Sequence, residues 1–287
     1  MYTINDSSLI SNSGGTHLSA SLLICVYKGD EAAHFQLAME SIFRQSKLPE
    51  EVVLIVDGPV GSAITQIIGH FHHSEGDLLT VYHLPENVGF IKALNRGLQY
   101  CNHPLIIRLD ADDIAHQDRV RQQTQYMAAH PEISLLGSQM TDFVDSPENT
   151  LRSKVMPLSH DDIKKKLPWR NPINHPTVCF RRDAVIDVGG YPELQYLEDY
   201  WLWSKLISNG YRCQNLDTSL VSYRFDDATL QRRSGTTNFL NEVRLRWWLV
   251  KHKLCSIPVF MLTSAMQLVL RFAPISIKRF LWKISRN

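Results

Sequence analysis

Four times within its first 130 residues the chain passes from a continuous apolar run into an amphipathic helical pattern. SASLLICVY (19–27) leads into GDEAAHFQLAMESIFRQS, where Phe35, Met39, Ile42 and Phe43 recur at helical spacing behind Asp30, a candidate cap. EVVLIVDG leads into Ser62–His73, LLTVYHL into Gly89–Tyr100, and PLIIRLDADD into Gln117–His130. Strands that are apolar on both faces and separated by helices predict an α/β fold. Its core would be a mainly parallel, Rossmann-like sheet covered by helices on both sides.

Such open sheets bind ligands at the carboxyl ends of their strands. The residues there are Tyr27, Asp57, the Glu86-Asn87 turn and Asp110 to Asp113. Any one polar residue at such a point could simply begin a loop or cap a helix. Acids or amides at three of four endings on one rim point instead to a polar ligand. The sequence after strand one, VYKGDE, lacks GxGxxG, and no GxxxxGK[ST] loop occurs anywhere, which argues against hydride transfer and P-loop hydrolysis.

Leu109-Asp110-Ala111-Asp112-Asp113 is the sharpest local signal. At an extended strand end, positions 110 and 112 share a side, so two carboxylates converge on a small volume. Hard oxygen ligands so close suit Mg²⁺ or Mn²⁺ completing its shell with a substrate diphosphate. An EF-hand is excluded because position six of the loop is Ala115, not Gly. A phosphohydrolase with Asp110 as nucleophile, or a solvated acidic turn, remains an alternative for this string taken alone. The second signal is Glu198-Asp199 opening an aromatic helix, where one carboxylate could serve as general base or both could merely complement the helix dipole. Trp201 and Trp203 are open to two readings, core or sugar platform.

The ordered set VY, VDG, ENVGFIKALNRGL, LDADD, NHPTVCFRRDAV, GGY and EDYWLW resembles family 2 glycosyltransferases of the GT-A fold over about residues 19–235. Within that family it is similar to bacterial enzymes that build O-antigen or exopolysaccharide repeat units on a lipid carrier. The resemblance implies nucleotide contacts at Tyr27, Asp57, Asn87, Gly89, Asn95 and Asp110, with Lys92 or Arg96 reaching ribose or phosphate. It implies metal at Asp112, with Asp110 and Asp226 as further candidate ligands. Asp199 matches the catalytic base, while Glu198, His175, Gly190, Tyr191 and Trp201 match the wall around donor sugar and acceptor. The implied reaction is inverting transfer of galactose or glucose from a UDP-sugar to a polyprenyl-diphosphate-linked GlcNAc or GalNAc. Mn²⁺ or Mg²⁺ is the implied cofactor. Two departures stand out: Tyr223-Arg224 is followed by Phe-Asp-Asp where relatives carry a His, and VDGP stands in place of VDDGS.

The formal charge of +1 argues against a nucleic-acid protein, yet it conceals a division. Residues 243–287 hold nine basic and no acidic residues, which leaves 21 basic against 29 acidic, a formal −8, for the rest. Leu254–Leu270 is uncharged for 17 positions but carries Pro258, Ser, Thr and Gln, a poor membrane span. RFAPISIKRFLWKISRN has the composition of a helix lying in an anionic leaflet, though packing back on the body is the other reading. The expected organisation is a polar leader (1–18), a nucleotide-sugar half (19–132), an acceptor and catalytic half (133–235) and a helical basic tail (236–287). Five cysteines without a CxxC pair suggest buried thiols, and the leader lacks the marks of a secretory signal. These features point to a peripheral protein on the cytoplasmic face of a bacterial inner membrane. A non-catalytic sugar-nucleotide-binding membrane protein is the third reading.

Overall fold

The computed structural model describes residues 18–144, 150–194, 197–225 and 236–272. β1 (Ala20–Tyr27), β2 (Glu51–Asp57), β3 (Leu79–His83) and β4 (Leu105–Leu109) alternate with α1 (Ala32–Phe43), α2 (Ser62–Glu75), α3 (Phe90–Tyr100) and α4 (Arg119–Ala129). The chain continues through β5 (Ile114–Ala115), β6 (Ile133–Phe143), β7 (Thr150–Lys154), α5 (His160–Lys166), β8 (Cys179–Arg181), α6 (Arg182–Asp187), α7 (Glu198–Ser208) and β9 (Arg212–Arg224). Two helices, α8 (Thr236–Lys251) and α9 (Ile257–Phe272), close the described chain.

One nine-stranded sheet runs β3-β2-β1-β4-β8-β6-β9-β5, with β7 on the side of β6. β1 lies parallel to both β2 and β4, so the strand order reverses beside it. That reversal opens a crevice between carboxyl ends, where ligands of such sheets sit. Tyr27 pairs with Asp57 at the ends of β1 and β2, and Ile24 with Leu109 one step before Asp110.

Strand side chains alternate between two apolar layers, as the continuous apolar runs require. Leu23, Val53, Ile55, Ile106 and Phe180 pack with Leu94, Leu98, Leu202, Trp203 and Leu206 of α3 and α7. Leu22, Ile24, Leu54, Val56 and Ile107 pack with Phe35, Met39 and Ile42 of α1, Ile64 and Ile68 of α2, and Val120 of α4. The helices on both faces are thus where the sequence predicted them.

Asp30 differs from its expected role. Its carboxylate accepts from Tyr27 N (2.9 Å), and α1 is capped at Glu31 with no side-chain bond. The five cysteines are free thiols. The long strand β9 was not anticipated. It pairs parallel to β6 across three register shifts and antiparallel to β5, which follows the acidic turn. No helix among the described residues is long and apolar enough to cross a membrane. The amphipathic pattern expected after Phe272 lies outside the described residues, as does Asp226.

Candidate active site

The acidic turn is built by β4 and held by β9. Arg224 N donates to Asp113 Oδ1 (2.9 Å), and Arg224 Nε to Asp112 O (3.1 Å). Asp110, Asp112 and Asp113 then offer carboxylate oxygens that all lie within 4.8 Å of one another. Burial, then the charge of Asp110, pushes the Asp112 carboxyl up to about 6. Burial and both neighbours push fully buried Asp113 well above the usual range, and its Oδ2 has no hydrogen-bond partner. Three hard oxygen donors this close, two of them strained as carboxylates by burial and like charge, fit Mg²⁺ or Mn²⁺.

Arg108 stands two residues before Asp110, on the same side of the extended chain, and forms an ion pair with it. Its guanidinium is 2% exposed, leaves Nε and Nη1 without partners, and sits 5.3 Å from the Phe90 ring centroid. His175 lies beyond Phe90 in an edge-on contact (6.2 Å) and shares a 3.0 Å hydrogen bond with the Tyr191 hydroxyl. Desolvation, then Arg108, keeps the imidazole well below its usual range, so it is neutral near pH 7.

The turn that delivers Tyr191 depends on Asn95. Asn95 Nδ2 donates to Tyr191 O (2.8 Å), and Oδ1 accepts from Tyr191 N (2.9 Å), so both ends of the amide clamp α3 to the turn. Gly190 has φ +67, and a Cβ there would stand 2.7 Å from Asn95 Oδ1. Glycine is therefore required for both conformation and space.

At the other end of the rim, Asp57 is 3% exposed and its two oxygens accept from Val88 N (2.7 Å) and Gly89 N (3.0 Å). Asn87 Nδ2 returns a bond to Asp57 O (3.1 Å). Asp57, Asn87 and Gly89 together form a closed turn next to Tyr27, which is 41% exposed. Lys92 faces Glu193 at 3.8 Å with both side chains exposed, and Arg96 is exposed one turn further along α3.

Glu198 and Asp199 open α7, where the helix dipole favours negative charge. Asp199 Oδ2 accepts from Asn171 Nδ2 (2.7 Å), and Oδ1 from Tyr200 N (2.6 Å). Glu198 Oε2 is buried without a hydrogen-bond partner. Burial first, and the Asp199 charge second, push that carboxyl up to about 7. Burial raises the Tyr191 hydroxyl far above its usual range; Arg108 opposes the rise, and the charges of Asp199, Glu198 and Asp110 add to it. Trp201 packs against Trp248 of α8 (5.8 Å). It is Trp203, wholly buried, that supports His175 (5.9 Å) and Tyr191 (6.5 Å) from below.

Sequence reasoning assigned no part to Arg108 or Asn171, and it named Asp113 in the acidic string without a ligand role. A strand period of two carries 108, 110 and 112 to one side, so Arg108 was findable. Asn171, in a Pro- and Asn-rich loop, carried no comparable signal.

A mainly parallel sheet whose order reverses beside an acidic strand end defines an α/β fold of the kind that binds nucleotides at that crevice. Residues 21–189 match the sequence pattern of Glycosyl transferase family 2, and the chain belongs to that family. Family membership selects glycosyl transfer from the alternatives the sequence left open. The chain is 32% identical over 267 residues to the amylovoran biosynthesis glycosyltransferase AmsE of Erwinia amylovora, covering 93% of this chain and 99% of that one. It is 30% identical to a UDP-Gal:α-D-GlcNAc-diphosphoundecaprenol β-1,3-galactosyltransferase of Escherichia coli, covering 92% and 94%. The mannosyltransferase PcManGT from Pyrobaculum calidifontis, solved with GDP-Man and Mn²⁺, superposes with a TM-score of 0.61 at 17% identity over 94% of this chain and 80% of that one. That likeness is one of fold, and the fold is GT-A.

Proposed function

We propose that the protein transfers a hexose, galactose or glucose, from a UDP-sugar to a GlcNAc or GalNAc carried on a polyprenyl diphosphate, with inversion to a β linkage. Bacterial O-antigen or exopolysaccharide repeat-unit synthesis is the corresponding process. The observation that carries this reading is the Asp110, Asp112 and Asp113 cluster at a strand end together with the Glu198-Asp199 pair that opens α7, in a chain 30% identical to a galactosyltransferase whose name states that donor and acceptor.

In the proposed reaction Asp199 accepts the proton of an acceptor hydroxyl. The freed oxygen pair forms the new bond to the anomeric carbon, while the bond from that carbon to the diphosphate breaks and its electron pair leaves with UDP. Asp112, with Asp113 and Asp110 alongside, is the proposed holder of a divalent cation, which when bound supplies positive charge for the departing diphosphate. Arg108 adds a fixed positive charge beside Asp110. Tyr27 and the Asp57–Gly89 turn form the proposed uridine end, and His175, Tyr191 and Glu198 the proposed sugar end.

Docking on the cytoplasmic leaflet belongs to the same reading. Ile257, Met261, Leu262, Met266 and Leu268 on α9 are about half exposed or more, and Trp247 of α8, 46% exposed, meets Phe260 of α9 at 5.6 Å. Arg244 and Lys251 share the exposed stripe of α8 with Leu240 and Trp247. This mixture of apolar and basic groups suits a helix pair lying in an anionic interface.

The test is a screen of UDP-sugars with a synthetic GlcNAc- or GalNAc-diphosphate lipid, in Mn²⁺ and in EDTA. Transfer from UDP-galactose or UDP-glucose in Mn²⁺ alone is expected. Transfer from another nucleotide-sugar only, or at equal rate in EDTA, would overturn the donor or the metal part of the reading.

A further inference from the structure

We infer that Asn171 is the positioning residue of the catalytic base, holding the Asp199 carboxylate in its reactive orientation and in its ionised form. The inference rests on the proposed role of Asp199 and assigns a part to a side chain that no sequence motif singled out.

The amide is itself oriented. Asn171 Oδ1 accepts from Ile173 N (3.3 Å), so the donor end, Nδ2, faces Asp199 Oδ2 at 2.7 Å. Pro172 follows directly and biases Asn171 toward an extended backbone. The loop is then anchored on two sides. Tyr200, the neighbour of Asp199 on α7, donates its hydroxyl to Leu167 O just after α5. Asn215, on β9, donates to Pro172 O (3.1 Å) and to Pro157 O (2.6 Å). Asn215 itself fits only because β6 carries Gly137 opposite it: a Cβ there would stand 2.1 Å from Asn215 Oδ1 and 2.9 Å from Ile173 Cγ2. A chain of contacts therefore runs from Gly137 through Asn215 and Pro172 to Asn171 and the base.

Chemistry gives that contact a purpose. A carboxylate must be ionised to take a proton, and a neutral donor at 2.7 Å stabilises the charged form. Glu198, next in the chain, sets a like charge beside Asp199, while the start of α7 and the Tyr200 N–H favour the ionised form. Asn171 adds a neutral donor to that support, without a cation that would lower the basicity of the carboxylate. It fixes Oδ2, while Tyr200 N holds Oδ1, so both oxygens of the base are oriented.

The experiment compares Asn171→Ala, Asn171→Asp and Asn171→Ser in the full chain, alone and with Asp199→Asn. UDP release from UDP-galactose is followed with the GlcNAc-diphosphate lipid, and UDP affinity by calorimetry. Asn171→Ala should lower kcat roughly ten- to a hundredfold, a part of the 10²–10⁴ that a positioned base contributes. The donor KM and the UDP Kd should stay within about twofold, as expected for an interaction used only in the transition state. The acidic limb of the kcat profile should move to higher pH, further for Asn171→Asp, which adds a like charge. Asn171→Ser, keeping a donor, should recover part of the rate. On the Asp199→Asn background, Asn171→Ala should cost nothing more. Wild-type kcat with an unmoved acidic limb, an equal loss on the Asp199→Asn background, or a loss matched by weaker UDP binding would each overturn the inference. Near-wild-type turnover by Asp199→Asn would instead remove the base assignment on which it rests.

Discussion

Glu198→Gln should abolish a pH dependence of stability that the buried acidic pair builds into the fold. Glu198 Oε2 is buried without a partner, and burial, then Asp199, raise the carboxyl from 4.5 to about 7. Between those two values the native state binds more protons than the unfolded chain, so stability falls as pH rises through the window. The contribution is complete below about pH 4.5 and gone above about pH 7. At about 1.36 kcal/mol per pK unit, the difference amounts to about 3 kcal/mol. Gln cannot ionise, so the variant escapes this loss. Its amide adds N–H groups that the pocket must satisfy, but that cost does not vary with pH. Urea denaturation of both proteins in EDTA at pH 4.5 and pH 8 reads the change in their stability gap. The variant should gain about 3 kcal/mol on the wild type between the two conditions. An unchanged gap, or one that moves the other way, would refute the desolvation argument.

Asn95→Ala removes both bonds to the Tyr191 backbone and leaves its N–H and C=O unpaired, so about 2 kcal/mol of stability should go, with a raised donor KM, by urea midpoints and initial rates. Unchanged stability would show that the clamp is dispensable. Asp112→Ala should remove the Mn²⁺-dependent part of UDP binding in calorimetry and leave binding in EDTA as it was. A wild-type isotherm in Mn²⁺ contradicts the metal assignment. Met261→Glu combined with Met266→Glu should abolish flotation with phosphatidylglycerol vesicles while leaving UDP affinity intact. Retained flotation would move membrane contact away from the exposed face of α9.

The parallel half of the fold was open to reading because its strands are apolar on both faces and its helices keep one apolar stripe. The second half hides the same physics. β9 buries Asn215 and Arg224 among its apolar residues and slips register against β6, so neither an apolar run nor a clean alternation survives in its sequence. At the site, spacing identified the carboxylates of Asp110, Asp112, Glu198 and Asp199, because strand ends and helix starts place them by rule. It did not separate ligand contacts from scaffolding. Asn95 sits in a motif that implies a nucleotide, and no spacing rule shows that its amide also bonds the Tyr191 backbone, a partner 96 residues away. Trp201 and Trp203 lie two positions apart on α7, and nothing in that spacing says that the first meets Trp248 of α8 and the second His175 and Tyr191.

Asp199→Asn tests the central claim most directly. UDP release and product formation are measured with UDP-galactose, Mn²⁺ and a GlcNAc-diphosphate lipid, alongside UDP affinity. UDP binding should stay within about twofold of the wild type, with turnover lower by about 10²–10⁴. Turnover near that of the wild type, or a loss explained by weakened UDP binding, would contradict that claim.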